Sequence, residues 1–504
     1  MIRALVTIGS LQFLSMLLLL VRTKILAVML GPEAVGAISV IDKLTAVIVQ
    51  TLSLSLPFAA LRFLPAALRE SPAAMDGLYR RMRNLLLATI IPATVVCVGL
   101  SLLAPRTWGL ELATHQRALS LAFAGLPVIA LVPFLTNTFA GSMAHLRAMQ
   151  FAIAHASVLV VAAIAAGIGF GLVGFYGVYA VLGTAVMVFA SRWLAQTLRR
   201  PRAPLPLREA FRLPTAVWRF AAALIALTFA APYAALFVQY TALRRFGAAG
   251  AGVLQSAIGI SLSTRALLGT AHAVFLTPHV NREGDAAARM AWANEFQRAT
   301  ALLFIIVLPP LLLFPDLALR AMYSGRFVGA SAFVALFVGA EVMALLSGTY
   351  QSLIIAGDRM LFHVLQNLAA QALLIAVAAV ALPRLGLAGA GVAALAAPLF
   401  LYATTLVFLR RHFGVQASRE ATIMAIVTTG ILVCAGGLGS RYVGLSAGLL
   451  AIKAAACGMI WLTAYAAIPP ADRARLREGG FRLRQEILTR TAAWRRSASP
   501  SGRA

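Results

Sequence analysis

VRTKILAVMLGPEAVGAISVIDKLTAVIVQTLSLSLPFAALRFL, residues 21–64, decides how this chain is read. Two apolar runs meet at a short turn, Gly31-Pro-Glu-Ala-Val-Gly36. Charges sit inside the runs: Arg22 and Lys24 before the turn, Asp42 and Lys43 after it. A soluble helix places such charges on a wet face, and neither run has one. The pattern is a transmembrane hairpin with its polar groups aimed inward.

The rest of the chain repeats it. Of 504 residues, 61% are hydrophobic and only 12% charged, about half the charged share of a soluble domain. Apolar runs of roughly 20 residues, enough for a helix to cross a bilayer, recur from end to end. Fourteen candidate spans fall at 5–30, 36–62, 84–104, 117–142, 151–171, 174–195, 215–243, 248–278, 299–319, 328–356, 361–382, 387–409, 421–440 and 444–467. The expected fold class is all-α, a polytopic integral membrane protein. The apolar run after Arg3 lacks a small-x-small cleavage site and resumes after Lys24, so it is read as an uncleaved first span. Cys97, Cys434 and Cys457 lie within apolar runs, too scattered for a disulfide framework or a metal site.

Net charge is +27, from 43 Lys+Arg against 16 Asp+Glu. The positive-inside rule accounts for this excess without a nucleic-acid partner. The stretches 62–83 and 192–213 and the connection after span twelve are rich in arginine, and the opposite loops are poorer. Both termini are therefore expected in the cytoplasm of a bacterial inner-membrane protein; basic residues that are nearly all Arg, with the alanine and glycine richness, suggest a GC-rich bacterial genome. The stretch 199–214 has four prolines and clustered arginines, which exclude a long regular helix. It separates two blocks of six spans that look duplicated. Gly31-x-x-x-x-Gly36 recurs as Gly247-x-x-x-x-Gly252, an offset of 216, and Gly171-Leu-Val-Gly174 recurs as Gly386-Leu-Ala-Gly389, an offset of 215. The expected organisation is an N-lobe (1–198), an inter-lobe loop (199–214), a C-lobe (215–412), two further spans (413–468) and a basic cytoplasmic tail (469–504). Each block holds an even number of spans, so the repeats are parallel, and parallel-repeat transporters hold substrate between their lobes.

Arg22-Thr23-Lys24-Ile25-Leu26-Ala27, Leu30-Gly31-Pro32-Glu33-x-x-Gly36 and Leu61-Arg62-Phe63 resemble the first hairpin of the polysaccharide-transporter branch of the multidrug/oligosaccharidyl-lipid/polysaccharide (MOP) exporter superfamily. The Gly-Leu-x-Gly turns and the fourteen-span count are also like that branch, which includes Wzx-type flippases. The resemblance implies a bilobed flippase that moves a polyprenyl-pyrophosphate-linked oligosaccharide to the outer leaflet, as in O-antigen or exopolysaccharide synthesis. It also keeps lipid II flippases and cation-coupled drug exporters in view. Implied partners are the lipid-linked oligosaccharide, membrane lipids and the polysaccharide polymerase machinery; a bilobed transporter is expected to work as a monomer.

No nucleophile context, metal spacing or Walker A sequence is present, so the chain is read as a transporter and not an enzyme, with no cofactor beyond H+ or Na+ as a coupling ion. A membrane-embedded glycan transferase or ligase would be expected to carry a large catalytic outer loop. The informative residues are the intramembrane charges, which are normally paired or face water. Arg265 lies near the middle of span eight. Ser261, Arg265 and His272 fall close to one face, with Gly269 leaving room beside the arginine. That face is expected to line the inter-lobe cavity, with Arg265 either engaging pyrophosphate through its planar fork or pairing with Glu341 at similar depth. Glu341 and Asp42 are the candidates for ion coupling. Lys24 and Asp42 are roughly level, near 10 Å from the turn at 1.5 Å per residue, so Asp42 pairs with Lys24 or Arg22. The surplus of Arg22, Lys24 and Lys43 over Asp42 would draw phosphate or acidic sugars. Arg219, near the inner end of span seven, is expected either to snorkel or to guard the cytoplasmic entrance, and Tyr233, Gln239, Tyr240 and Gln255 are candidate sugar contacts. The lipid tail is expected to stay in the membrane, in a groove formed with spans thirteen and fourteen.

Overall fold

A computed structural model of the chain describes residues 2–142, 144–197, 210–271, 285–357, 359–442, 444 and 446–467. The described residues are overwhelmingly helical and contain no strand. Among the described residues, eleven helical stretches are long and apolar enough to cross a membrane. Two of these are hairpins. His145–Gln196 turns at Gly169 (φ 119) and Gly171 (φ 54), and its arms, His145–Ala165 and Gly171–Thr197, pack side by side. Thr215–Arg265 turns at Gly247 (φ 70). There Gln239 Nε2 donates to the Ala251 carbonyl at 2.8 Å. In a straight helix those residues would stand roughly 18 Å apart, so the bond requires a reversal. Counting both hairpins twice and adding Ala447–Ala467 gives the expected fourteen spans. The chain is a multi-pass membrane protein.

Two boundaries differ from expectation. Span two begins at Gly31 and stops at Leu52, because Leu54 (φ 51) and Ser55 (φ 56) adopt left-handed conformations before a new helix, Leu56–Glu70. Pro57 fits the first turn of that helix, where a missing N–H costs nothing. The arginine-rich stretch 62–83 is not a loop. It is the end of Leu56–Glu70 and the start of Pro72–Leu103, separated only by Ser71, whose Oγ accepts from Ala74 N at 3.0 Å as an N-cap.

The two lobes are pseudo-symmetric. Gly171 (φ 54, ψ −148) and Gly386 (φ 64, ψ −150) have the same backbone conformation at the start of corresponding spans. Gly31 (φ 82) and Gly247 (φ 70) are both left-handed. The corresponding helices, Gly31–Leu52 and 248–271, also touch each other. A Cβ on Gly36 would strike the Ala248 carbonyl, and a Cβ on Gly252 would strike the Pro32 carbonyl. Each contact is the other's image under the 216-residue offset, so the pseudo-twofold axis passes between these glycines.

Arg419–Arg441 packs on Ala286–Leu313 and Val334–Ala356 of the C-lobe. Trp461 of the last span donates to the Ile306 carbonyl at 2.9 Å. The connection from span nine to span ten, read from sequence as a short loop, is a wedge of two short helices, Pro315–Met322 and Gly325–Ala332. It folds against both lobes. The Arg326 guanidinium lies against Gly31, and the Tyr323 hydroxyl lies against Gly259.

Candidate functional site

Spans one, two and six build the first charged cluster. Arg22 Nη2 lies 3.3 Å from Asp42 Oδ2. Tyr176 donates its hydroxyl to Asp42 Oδ1 at 2.9 Å. The Arg22 guanidinium sits over the Phe175 ring, 5.1 Å from its centre. Arg22, Ser39, Asp42, Gln255 and Tyr323 then line a cavity of about 80 Å3 between the lobes, with room for water at about 30 Å3 a molecule. Arg22 Nε and Gln255 Oε1 point at no hydrogen-bond partner among the described residues.

Lys24 goes elsewhere. Two residues along a helix is roughly half a turn, so it points away from Arg22. Its Nζ donates to the Arg320 carbonyl at 2.6 Å, at the end of Pro315–Met322, where a cation is favoured. The partner of Asp42 is therefore Arg22. Lys43, half-buried beside Asp42, makes no ion pair or hydrogen bond among the described residues.

Arg265 and Glu341 come together, with Nη1 3.6 Å from Oε2. The pair is loose, beyond hydrogen-bond reach for Oε2. The Arg265 side chain is 59% exposed while Glu341 is 18% exposed. Gln255 and Arg265 lie on one helix, roughly 15 Å apart along its axis. Ser261 is buried and donates to its own helix at Ile258 O, 2.8 Å away. His272 and residues 272–278 of the expected span lie outside the described residues.

The amide and phenol candidates separate. Gln239 is fully buried; its Nε2 donates to the Ala251 carbonyl and to Ser39 Oγ of the other lobe. Tyr240 donates to Glu111 Oε2 at 3.4 Å, and Glu111 also meets Arg244 at 3.7 Å, another contact between lobes. Tyr233 is exposed and stacked on Phe229, centroids 5.4 Å apart. Arg219 is exposed, with no partner among the described residues.

Sequence reasoning missed three partners. Tyr176 as a donor to Asp42 had no signal beyond its place in an apolar span. Glu111 sits in a connection that looked like plain loop. Lys453, in the last span, forms the most deeply buried ion pair among the described residues, 3.4 Å from Asp316, with side chains 4% and 1% exposed. The only available hint was that two opposite charges lay in otherwise apolar surroundings.

The arrangement defines a class: a bilobed membrane protein whose lobes meet on a pseudo-twofold axis and enclose paired and unpaired charges between spans. No protein-family profile matches the chain. No curated protein matches it in sequence. Solved structures do match in fold. The lipid II flippase MurJ in an inward closed conformation matches with a TM-score of 0.69 at 10% identity, over 91% of this chain and 98% of that one. An inward-facing multidrug resistance MATE family transporter of the MOP superfamily matches with a TM-score of 0.61 at 15% identity, over 84% and 99%. An outward-facing MATE transporter of that superfamily gives 0.55 at 15% identity, over 81% and 95%. The fold is thus the one found in MOP-superfamily transporters and flippases, and those neighbours are not enzymes.

Proposed function

We propose that this protein is a flippase for a polyprenyl-pyrophosphate-linked oligosaccharide, carrying it from the cytoplasmic to the outer leaflet of a bacterial inner membrane by alternating access. One observation carries the reading: Arg265 is only loosely held by Glu341, at 3.6 Å, with 59% of its side chain exposed. Such a group can bind phosphate oxygens with its planar fork without first breaking a tight pair. Lys43, unpaired beside the Arg22–Asp42 pair, adds to the positive balance. A drug cation would meet repulsion there. The likeness in fold to a lipid II flippase supports a lipid-linked cargo.

Glu341 is the better coupling candidate of the two carboxylates. Asp42 is occupied by Arg22 and Tyr176, whereas Glu341 Oε2 has no hydrogen bond. The exchanged ion is H+ or Na+. Cargo binding at Arg265 would release Glu341 to take it up, and return of the pair would reset the site.

The test is flipping of a labelled polyprenyl-pyrophosphate oligosaccharide in proteoliposomes. Wild type is expected to move it, Arg265→Ala to be at least about tenfold slower, the loss of one charge-assisted contact, and Glu341→Gln to lose its response to an ion gradient. Flipping by folded Arg265→Ala at the wild-type rate would refute the role of that arginine. Export of cationic dyes by a wild type that moves no lipid-linked sugar would replace the flippase reading with an antiporter.

A further inference from the structure

A second cavity lies at the end of the N-lobe that carries Gly31. Its volume is about 650 Å3, inside the about 300–1,000 Å3 of small-molecule sites. It is walled by the turn around Leu30, the connection 113–118, the turn at Phe170 and the start of the helix after Gly247. None of the lumen charges lines it.

The chemistry of its wall is mixed. Glu33 and Arg117 are exposed, with no side-chain partner among the described residues, so a carboxylate and a guanidinium stand there without pairing to each other. His115 is half-buried and also unpartnered. Burial pushes its imidazole below the ordinary value of 6.5, so at neutral pH it offers one donor and one acceptor rather than a charge. Thr114 donates to the Glu111 carbonyl at 2.8 Å and keeps its lone pairs. Gln116 donates its amide to the Leu102 carbonyl at 3.0 Å and keeps its Oε1. The Phe170 ring, 66% exposed, supplies an apolar face.

This set discriminates among ligands. A free phosphate would be opposed by Glu33, and a basic peptide by Arg117. An apolar drug would leave the polar groups unpaired, which is costly once water is excluded. A sugar chain satisfies all of them. Its hydroxyls both donate and accept, and its C–H face stacks on an aromatic ring.

We infer that this cavity is a saccharide-binding site, separate from the lumen, which holds the glycan part of the cargo at the Gly31 end of the bundle. The inference rests on the oligosaccharide reading above. In the proposed orientation that end faces outward, and the site would receive sugars as the lobes open, before the next enzyme takes them.

The experiment uses the full chain in nanodiscs with three neutral, lipid-free probes: maltotriose, chitotriose and cellotriose. Saturation-transfer NMR and titration would detect binding. At least one probe is expected to bind wild type. Phe170→Ala and Arg117→Gln are each expected to weaken it about tenfold, the loss of one stacking or charge-assisted contact. Phe170→Tyr should retain binding. Failure of all three probes to bind, or equal binding by the Phe170→Ala and Arg117→Gln variants, would overturn the site. Flipping by the same preparations separates the two claims. Flipping without trisaccharide binding removes the site and leaves the function, whereas binding without flipping removes the function and leaves the site.

Discussion

Gly36→Ala is the sharpest perturbation of the lobe contact, because two effects oppose each other in sign. Gly36 lies in the interior of Gly31–Leu52 with a helical backbone. Alanine in such a position is normally better by roughly 0.5–1 kcal/mol. Here the added methyl would overlap the Ala248 carbonyl and sit 2.8 Å from Gly252 N. Ordinary contact begins at 3.4 Å, so the backbones must part by at least 0.6 Å for that nitrogen alone. Overpacking of this kind costs about 1–3 kcal/mol. The balance disfavours the lobe arrangement seen here by about 0–2.5 kcal/mol, a shift of up to roughly seventyfold in its population. Gly430 is the control, since a Cβ there meets nothing within 4 Å and should give only the alanine gain. Spin labels at Leu110 and Arg245, both exposed and one on each lobe, would report separation by electron–electron resonance in nanodiscs. The expected result is a longer distance population for Gly36→Ala and none for Gly430→Ala. An unchanged distance together with a raised unfolding temperature for Gly36→Ala would refute the contact.

Other expectations follow from single features. Asp316→Asn should lower stability by about 3–5 kcal/mol, because it leaves Lys453 charged and buried. The double variant Asp316→Leu with Lys453→Met should recover most of that loss in a thermal unfolding scan, and failure to recover would mean the pair is more than a buried charge balance. Gly171→Ala and Gly386→Ala should each cost about 1–3 kcal/mol, the strain of an L-residue at φ 54, ψ −148 and φ 64, ψ −150, backbone that essentially only glycine adopts. Neither position crowds a Cβ, so a neutral result at either would show that the turn relaxes.

The fold class was legible because a bilayer imposes run length, and run length survives in composition. The duplication was legible because glycine marks backbone that other residues avoid. Gly31, Gly171, Gly247 and Gly386, picked out only by spacing, all have positive φ. The break after Leu52 was not legible, since Leu54 and Ser55 carry the left-handed conformations and neither residue type advertises them. The arginines between 62 and 83 looked like loop because charge density there resembles a linker, yet only Ser71 interrupts the helix. At the candidate site, periodicity said that Arg22 and Lys24 face apart but not which one meets Asp42. The answer lies in the Arg320 carbonyl, 296 residues from Lys24, and a backbone acceptor has no signature in sequence. The Arg265–Glu341 pair was within reach, because both charges were alone at their depth and of opposite sign.

The reciprocal contact of Gly36 and Gly252 has a bearing on descent. Pro32 and Gly36 meet Ala248 and Gly252, and the same two positions supply each side. A patch of that kind is self-complementary: a chain of half this length bearing only one copy would present to its twin the surface that the twin presents in return. Both halves also enter the membrane in the same sense, so fusion of two such genes would need only a linker, and the stretch 199–214 lies where that linker would fall. An assembly of two identical halves would therefore already have had this contact before any fusion, and the later divergence of charge between the halves, with Asp42 and Lys43 answered by Ile258 and Gly259 at the same offset, would be what made the two faces unequal.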